Sequence, residues 1–287
     1  MRDFLILLRP HHYIKNLFIF LPLFFTGQVI VIDKSLIALL SFISFSLSAS
    51  AVYIFNDYND IQDDKKHPLK KNRPLASGSI KPKPALLLMI FLFILSFSLM
   101  AYISIKALII LFLYVALNII YSLGLKKISL VDITIIAIGF VLRLFVGSFA
   151  YNEDLKIWIV IMTFLLALFI ALAKRRDDIL IFKNYKKQTR KSIIGYNIKL
   201  IDSSMVFMSA VIVVAYIQFS TSAHTIIKFG ENLYLTSFYV IFGIMRYMQI
   251  TFVENRSGSP VEILLSDKIT IINLILWLLS FAWIIYF

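Results

Sequence analysis

Nine apolar runs divide this chain, each close to the ~20 residues that a helix needs to cross a bilayer. They lie at roughly 17–32, 36–55, 85–104, 107–124, 131–150, 156–173, 202–222, 233–252 and 269–286. In hydrocarbon a backbone N–H or C=O has no water to turn to, so a run of this length must satisfy its polar groups internally, as a helix does. Composition agrees: 60% hydrophobic residues, 16% charged residues and a mean hydropathy of +0.86 exclude an ordinary soluble globular chain. The expected architecture is all-α, a polytopic membrane helical bundle of about nine transmembrane helices forming one membrane-embedded domain, residues 1–287. Arg2, Arg9 and Lys15 precede the first run, but no small-residue cleavage pattern follows it. It therefore reads as a span rather than a signal peptide. Zero cysteines exclude disulfides, thiolate metal sites and cysteine nucleophiles.

Lysine and arginine positions orient the bundle. With the N-terminus in the cytoplasm, the basic loops 56–84 and 174–200 fall inside, and only Lys34, Lys106, Lys156 and Lys228 fall outside. The expectation is a multi-pass protein of the cell membrane with N-terminus and active site cytoplasmic. The net charge of +13 needs no nucleic acid to explain it: topology, anionic lipid and anionic substrates account for it. Two cations, Arg143 and Arg246, fall within spans.

Where the second span ends, the chain reads Asn56-Asp57-Tyr58-Asn59-Asp60-Ile61-Gln62-Asp63-Asp64. Carboxylates this dense repel one another unless a cation lies among them. If the helix continues, Asp57, Asp60 and Asp64 share one face at i, i+3 and i+7, and Asp63 points elsewhere. Three carboxylates backed by the Asn56 amide form a hard-oxygen site suited to Mg²⁺ shared with substrate phosphates. A solvated acidic turn is the plainer alternative. The span before it is rich in small residues (Ser44, Ser46, Ser48, Ala49, Ser50, Ala51), which allow close helix approach and place it centrally.

Other constellations follow. After the acidic run come Lys65, Lys66, His67-Pro68, Lys70, Lys71 and Arg73-Pro74. Prolines stiffen this loop, and its cations can close over phosphates, or else merely set topology. The fourth span ends in Tyr121 and is followed by Lys126; the fifth starts at Asp132 and holds Arg143 on the same face. A charge within a span points by default to a functional cavity, with an ion pair that fixes packing as the other reading. The sixth span exits into Lys174-Arg175-Arg176-Asp177-Asp178, either a phosphate and metal site or a stop-transfer cluster. Arg246 needs a partner, which Glu262 or a lipid phosphate could supply.

Together these segments resemble the UbiA superfamily of intramembrane prenyltransferases, whose first motif has the form NDxxDxxxD, matched here by Asn56, Asp57, Asp60 and Asp64. More narrowly the chain is similar to the decaprenyl-phosphate phosphoribosyltransferases, nearly end to end. The likeness takes in Arg9-Pro10 with Lys15, His67-Pro68, Lys71, Arg73-Pro74, Tyr121-Ser122, Lys126, Asp132 and Arg143. It continues through Lys174-Arg175-Arg176, Arg246-Tyr247, Pro260, Glu262 and Asp267. One departure is the loop after the sixth span: aromatic prenyltransferases of the superfamily usually carry DxxxD there, whereas this chain has the adjacent pair Asp177-Asp178.

The resemblance implies Mg²⁺-dependent transfer of 5-phosphoribose from phosphoribosyl pyrophosphate to a polyprenyl phosphate. Asp57, Asp60 and Asp64 would bind the metal, and with Lys71 and Arg73 form the catalytic set. Lys15, Asn56, Lys70, Tyr121, Lys126, Asp132, Arg143, Lys174, Arg175, Arg176, Asp177, Asp178 and Arg246 would line the substrates. An aromatic prenyltransferase using a prenyl diphosphate is the competing enzyme class. A polytopic lipid transporter is the non-enzymatic one, although no Gly/Pro-interrupted pair of spans marks a midplane site.

Overall fold

The computed structural model describes residues 2–66, 70–185 and 191–286, which form helices and loops with no strand. His67 and Pro68 lie outside the described residues. The chain divides into two compact units, Met1–Lys156 and Ile157–Phe287. The first runs α1 (Arg2–Leu8), a 3-10 stretch (Pro10–Phe20), α2 (Leu21–Phe25), α3 (Ile32–Asn59), α4 (Ile61–Lys66), α5 (Pro74–Ser77), α6 (Pro82–Ile103), α7 (Ile105–Leu123) and α8 (Val131–Ala150). The second holds α9 (Ile157–Tyr185), α10 (Ile198–Ser220), α11 (Ala223–Phe229), α12 (Ser237–Phe252), α13 (Pro260–Ser266) and α14 (Lys268–Tyr286).

Among the described residues, seven helices are long and apolar enough to cross a membrane: α3, α6, α7, α8, α9, α10 and α14. The two other expected spans take a different form, so "about nine" is approximate. The first is the 3-10 stretch followed by the five residues of α2, with Pro10 and Pro22 at the helix starts. The eighth is the 16-residue α12, entered through a 3-10 turn at Glu231–Thr236. Both are apolar enough in sequence, but their backbone is broken by tighter turns.

Helix α3 has the largest buried share of the seven, and its small residues explain why. Ser44 donates to the Ser96 carbonyl of α6 at 2.8 Å, Ser96 donates back to the Ser44 carbonyl at 2.6 Å, and the Ser48 and Ser96 hydroxyls meet at 2.7 Å. Serines without bulk let the two helices close while each hydroxyl finds a partner, as lipid-embedded packing favours. The apolar core of this unit gathers Ile19, Leu23, Phe45, Met100, Leu111, Tyr114 and Val146. The 3-10 stretch is pinned to it: the Tyr151 hydroxyl donates to the Ile19 carbonyl at 2.8 Å and accepts from the Leu23 N–H at 3.1 Å. Buried Asn16 donates to Ser46 at 2.9 Å. These contacts fix the chain that leads back to α1 and the acidic end of α3.

Candidate active site

Helix α3 does not run unbroken through the acidic segment. Asp60 leaves helical geometry (φ −96°, ψ 5°), and α4 begins one residue later. Two hydrogen bonds, Asp60 N–H to the Asn56 carbonyl at 3.0 Å and Asp64 N–H to the Asp60 carbonyl at 2.8 Å, carry the helical register across the turn. The result is a partial stripe. Asp57 and Asp64 are buried at 2% and 3% exposure and converge on one cation, with Arg73 Nη1 donating to Asp57 Oδ1 at 3.0 Å and to Asp64 Oδ2 at 2.7 Å. Asp60, the third expected metal ligand, is instead held by Lys126, whose Nζ lies 2.6 and 2.7 Å from its two oxygens and 3.3 Å from Asn56 Oδ1. Asp63 is exposed.

A further cation completes the cluster, and sequence reasoning left it out of the site. Arg9 Nη2 donates to both oxygens of Asp57, at 2.6 and 2.7 Å. In sequence Arg9 reads as a topology charge in an Arg-Pro pair, and its partner lies 48 residues away, so no local spacing reveals the pair. Its placement is determined from several sides. Ser50 of α3 donates to the Leu8 carbonyl at 2.8 Å and meets the Tyr13 hydroxyl at 2.8 Å, which seats the α1 end on α3. The guanidinium lies 5.0 Å over the Tyr53 ring. Arg9 itself adopts φ 53°, ψ 56°, a left-handed conformation that costs a non-glycine residue about 1–2 kcal/mol. A cavity of about 260 Å³ opens here, lined by Ile6, Arg9, His11, His12, Asp57, Arg73 and Pro74. Burial pushes the Asp64 carboxyl above its usual range, against the opposing pull of Arg73 and Lys70.

Among the described residues no group of three acidic or histidine side chains stands ready to hold a metal ion. The donor chemistry nevertheless fits a divalent cation shared with phosphates, which needs only one or two carboxylates. The Arg73 nitrogen between Asp57 and Asp64 is a stand-in for such a cation.

The remaining expected site residues of this unit are spread more widely. Lys70, Lys15 and Tyr121 are half-buried, and Lys71, expected in the catalytic set, is exposed. Asp132 is fully buried. Arg143 is not in the cavity beside Asp57. It is 5% exposed and donates to Asn16 Oδ1 at 2.9 Å, the Gly139 carbonyl at 2.5 Å and the Tyr114 hydroxyl at 3.3 Å. The rings of Phe45, Tyr114 and Phe140 lie about 5 Å from its guanidinium carbon. Neutral acceptors and ring faces take the place of a carboxylate there.

In the second unit the expected phosphate cluster is already engaged internally. Arg175 is fully buried and donates to Asp178 at 2.7 Å. Arg176 donates to Asp202 at 2.8 Å, the Thr251 carbonyl at 2.8 Å and Asn255 Oδ1 at 2.6 Å, tying α9 to α10 and to the end of α12. Lys174 and Asp177 are half-buried, and the Asp177 carboxylate packs against Gly258. Arg246 is a correction to the sequence reading. Its guanidinium is closed by Asp267 at 2.6 Å and Glu254 at 2.8 Å, rather than by Glu262 or an open lipid-phosphate site. Asp267 lies close enough to Arg246 and to the start of α14 to serve both.

The family model of the UbiA prenyltransferase family matches residues 17–278. The chain belongs to this family. Its relatives include a decaprenyl-phosphate phosphoribosyltransferase of Mycolicibacterium smegmatis, 28% identical over 97% of this chain and 91% of that one. A second protein of that name, from Corynebacterium glutamicum, is 27% identical over 97% and 85%. A digeranylgeranylglyceryl phosphate synthase of Sulfurisphaera tokodaii is 37% identical, over 45% of this chain and 47% of its own. The fold is that of a UbiA homologue from Archaeoglobus fulgidus solved with GPP and Mg²⁺, with a TM-score of 0.73 at 20% identity over 99% of this chain and all of that one. This UbiA-family member is thus a multi-pass membrane transferase.

Proposed function

We propose that the protein transfers 5-phosphoribose from phosphoribosyl pyrophosphate to a polyprenyl phosphate, at the cytoplasmic face of the cell membrane, and releases diphosphate. What carries this choice of substrates is the sequence likeness to phosphoribosyltransferases over 97% of the chain, where the digeranylgeranylglyceryl phosphate synthase of Sulfurisphaera tokodaii aligns in sequence over 45% of it. The site around Asp57 supports it chemically, since three carboxylates and three cations interleave there and can regroup around polyphosphate. Asp57 and Asp64 would hold Mg²⁺, which when bound neutralises charge on the departing diphosphate. Asp60 would stay with Lys126 and keep that lysine beside Asn56. Arg73, released from the two carboxylates, would grip phosphate oxygens.

In this reaction a phosphate oxygen of the lipid forms a bond to the anomeric carbon as the bond from that carbon to diphosphate breaks. The leaving group takes the electron pair, through an oxocarbenium-like transition state. The attacking oxygen is already anionic, so no proton need be removed and no strong base is required. Positioning and electrostatic stabilisation do most of the work. The 5-phosphate of the donor would need cations of its own, apart from those that meet the diphosphate. Incubating purified protein with Mg²⁺, phosphoribosyl pyrophosphate and polyprenyl phosphate should yield a lipid heavier by one phosphoribosyl group on mass analysis. Turnover of a prenyl diphosphate with hydroxybenzoate, and none with phosphoribosyl pyrophosphate, would overturn the reading.

A further inference from the structure

We propose that Arg9 is a displaceable counter-ion of Asp57, so that a divalent cation enters this site together with a phosphate anion rather than alone. The inference rests on the reading above that Asp57 and Asp64 hold the cation, and adds a gate to it. Both oxygens of Asp57 accept from one Arg9 nitrogen, at 2.6 and 2.7 Å, and Oδ1 accepts from Arg73 as well. A carboxylate so engaged has no charge left to offer a free ion, and Asp57 is too buried to swing aside into water. Entry of a cation therefore requires Arg9 to let go.

Where the released guanidinium can go decides the coupling. It lines the cavity shared with Arg73, His11 and His12, surroundings that carry cationic and neutral groups apart from Asp57 itself. Without an anion, a cation beside Asp57 would leave Arg9 facing Arg73 and the new ion, a like-charge arrangement that disfavours binding. With a diphosphate in the cavity, Arg9 exchanges one oxyanion for another of similar geometry. Thus the ion pair blocks the free metal and gives way to the metal–anion complex.

The test is binding of Mn²⁺ to the purified full chain, by equilibrium dialysis with and without inorganic diphosphate, correcting for complexation in solution. Arg9→Gly removes the guanidinium and suits the left-handed backbone, so it should fold. In the wild type, diphosphate should tighten Mn²⁺ binding by roughly tenfold or more, the scale of a charge-assisted contact. Arg9→Gly should bind free Mn²⁺ roughly tenfold tighter than wild type and show a smaller gain from diphosphate. Arg9→Lys, which keeps the charge on a point donor, should fall between them and serves if the glycine variant fails to fold. If Mn²⁺ binds and is lost in Asp57→Asn, yet neither Arg9 variant tightens the free ion, the gate is overturned and the metal site stands. If no variant binds Mn²⁺ under either condition, the metal reading falls and the gate with it.

Discussion

Asp57 is 2% exposed and sits between two guanidinia, which makes it the residue through which the proposed chemistry is most easily cut. Asp57→Asn and Asp64→Asn each remove a charge at the point where both carboxylates meet Arg73, and each should reduce phosphoribosyl transfer by at least about a hundredfold, given the several kcal/mol that a lost metal ligand costs. Asp63→Asn, at an exposed position, should leave turnover within about twofold, as surface changes usually do. Single-turnover rates with fixed enzyme and saturating donor check this, and an Asp63 variant as damaged as Asp57→Asn would sink the assignment. Part of this was legible in sequence. The i and i+7 spacing puts Asp57 and Asp64 on one face whether or not the helix is interrupted, because the hydrogen bonds across Asp60 keep the register. That Asp60 would turn to Lys126 was not legible, since the lysine comes from a 3-10 turn 66 residues on.

Between elements, two contacts set the geometry and neither is visible as a motif. Gly147 of α8 faces the 3-10 stretch, and a Cβ there would stand 2.2 Å from the Ile19 carbonyl oxygen and 2.8 Å from the Tyr151 hydroxyl. Backbone cannot step aside as a flexible side chain can, so Gly147→Ala should destabilise the fold by about 1–3 kcal/mol. Gly139→Ala, whose Cβ would find Arg143 at 3.6 Å and Tyr114 at 3.8 Å, is ordinary contact and should be tolerated. Melting of the two variants in detergent separates them. In the second unit Asp267 accepts from Arg246 and from the Thr270 N–H at 2.9 Å, so one carboxylate joins α12 to the first turn of α14. The Arg246 hydrogen bond, opposed by burial and helped by Thr270, holds its carboxyl well below the usual range. A depressed carboxylate contributes stability that is present above its unfolded value, near ~3.9, and lost as pH falls through the folded one. Because Glu254 still faces Arg246, Asp267→Asn should cost about 1–2 kcal/mol at neutral pH, the scale of a charged hydrogen bond, and flatten the loss of stability seen on acidification below about pH 4. An unchanged acid limb would show that the pair contributes little. The apolar run 17–32 illustrates the limit of composition: its length announced a span, but Pro10, Pro22 and the close approach at Gly147 make it a 3-10 segment and a short helix.

At the scale of the whole molecule, charge asymmetry along the sequence sets the expected orientation. Lysines and arginines are concentrated in alternate connections, and the inside ones are those that carry the acidic motif and the Lys174–Arg176 run. Phosphoribosyl pyrophosphate is a polyanion that does not cross hydrocarbon, so the proposed reaction needs Asp57 on the side where the donor is made. The absence of cysteine gives a silent background for testing this. Ser79 and Ser266 are exposed in connections expected inside, and Asp154 and Glu231 are exposed in connections expected outside. In intact cells a membrane-impermeant maleimide should label Asp154→Cys and Glu231→Cys but not Ser79→Cys or Ser266→Cys until the membrane is opened. Ser79 follows Arg73 by six residues and reports directly on the loop that carries it. If Ser79→Cys were labelled in intact cells while Asp154→Cys was protected, the donor could not reach Asp57 from the cytoplasm, and the phosphoribosyl reaction would have to be given up along with the orientation.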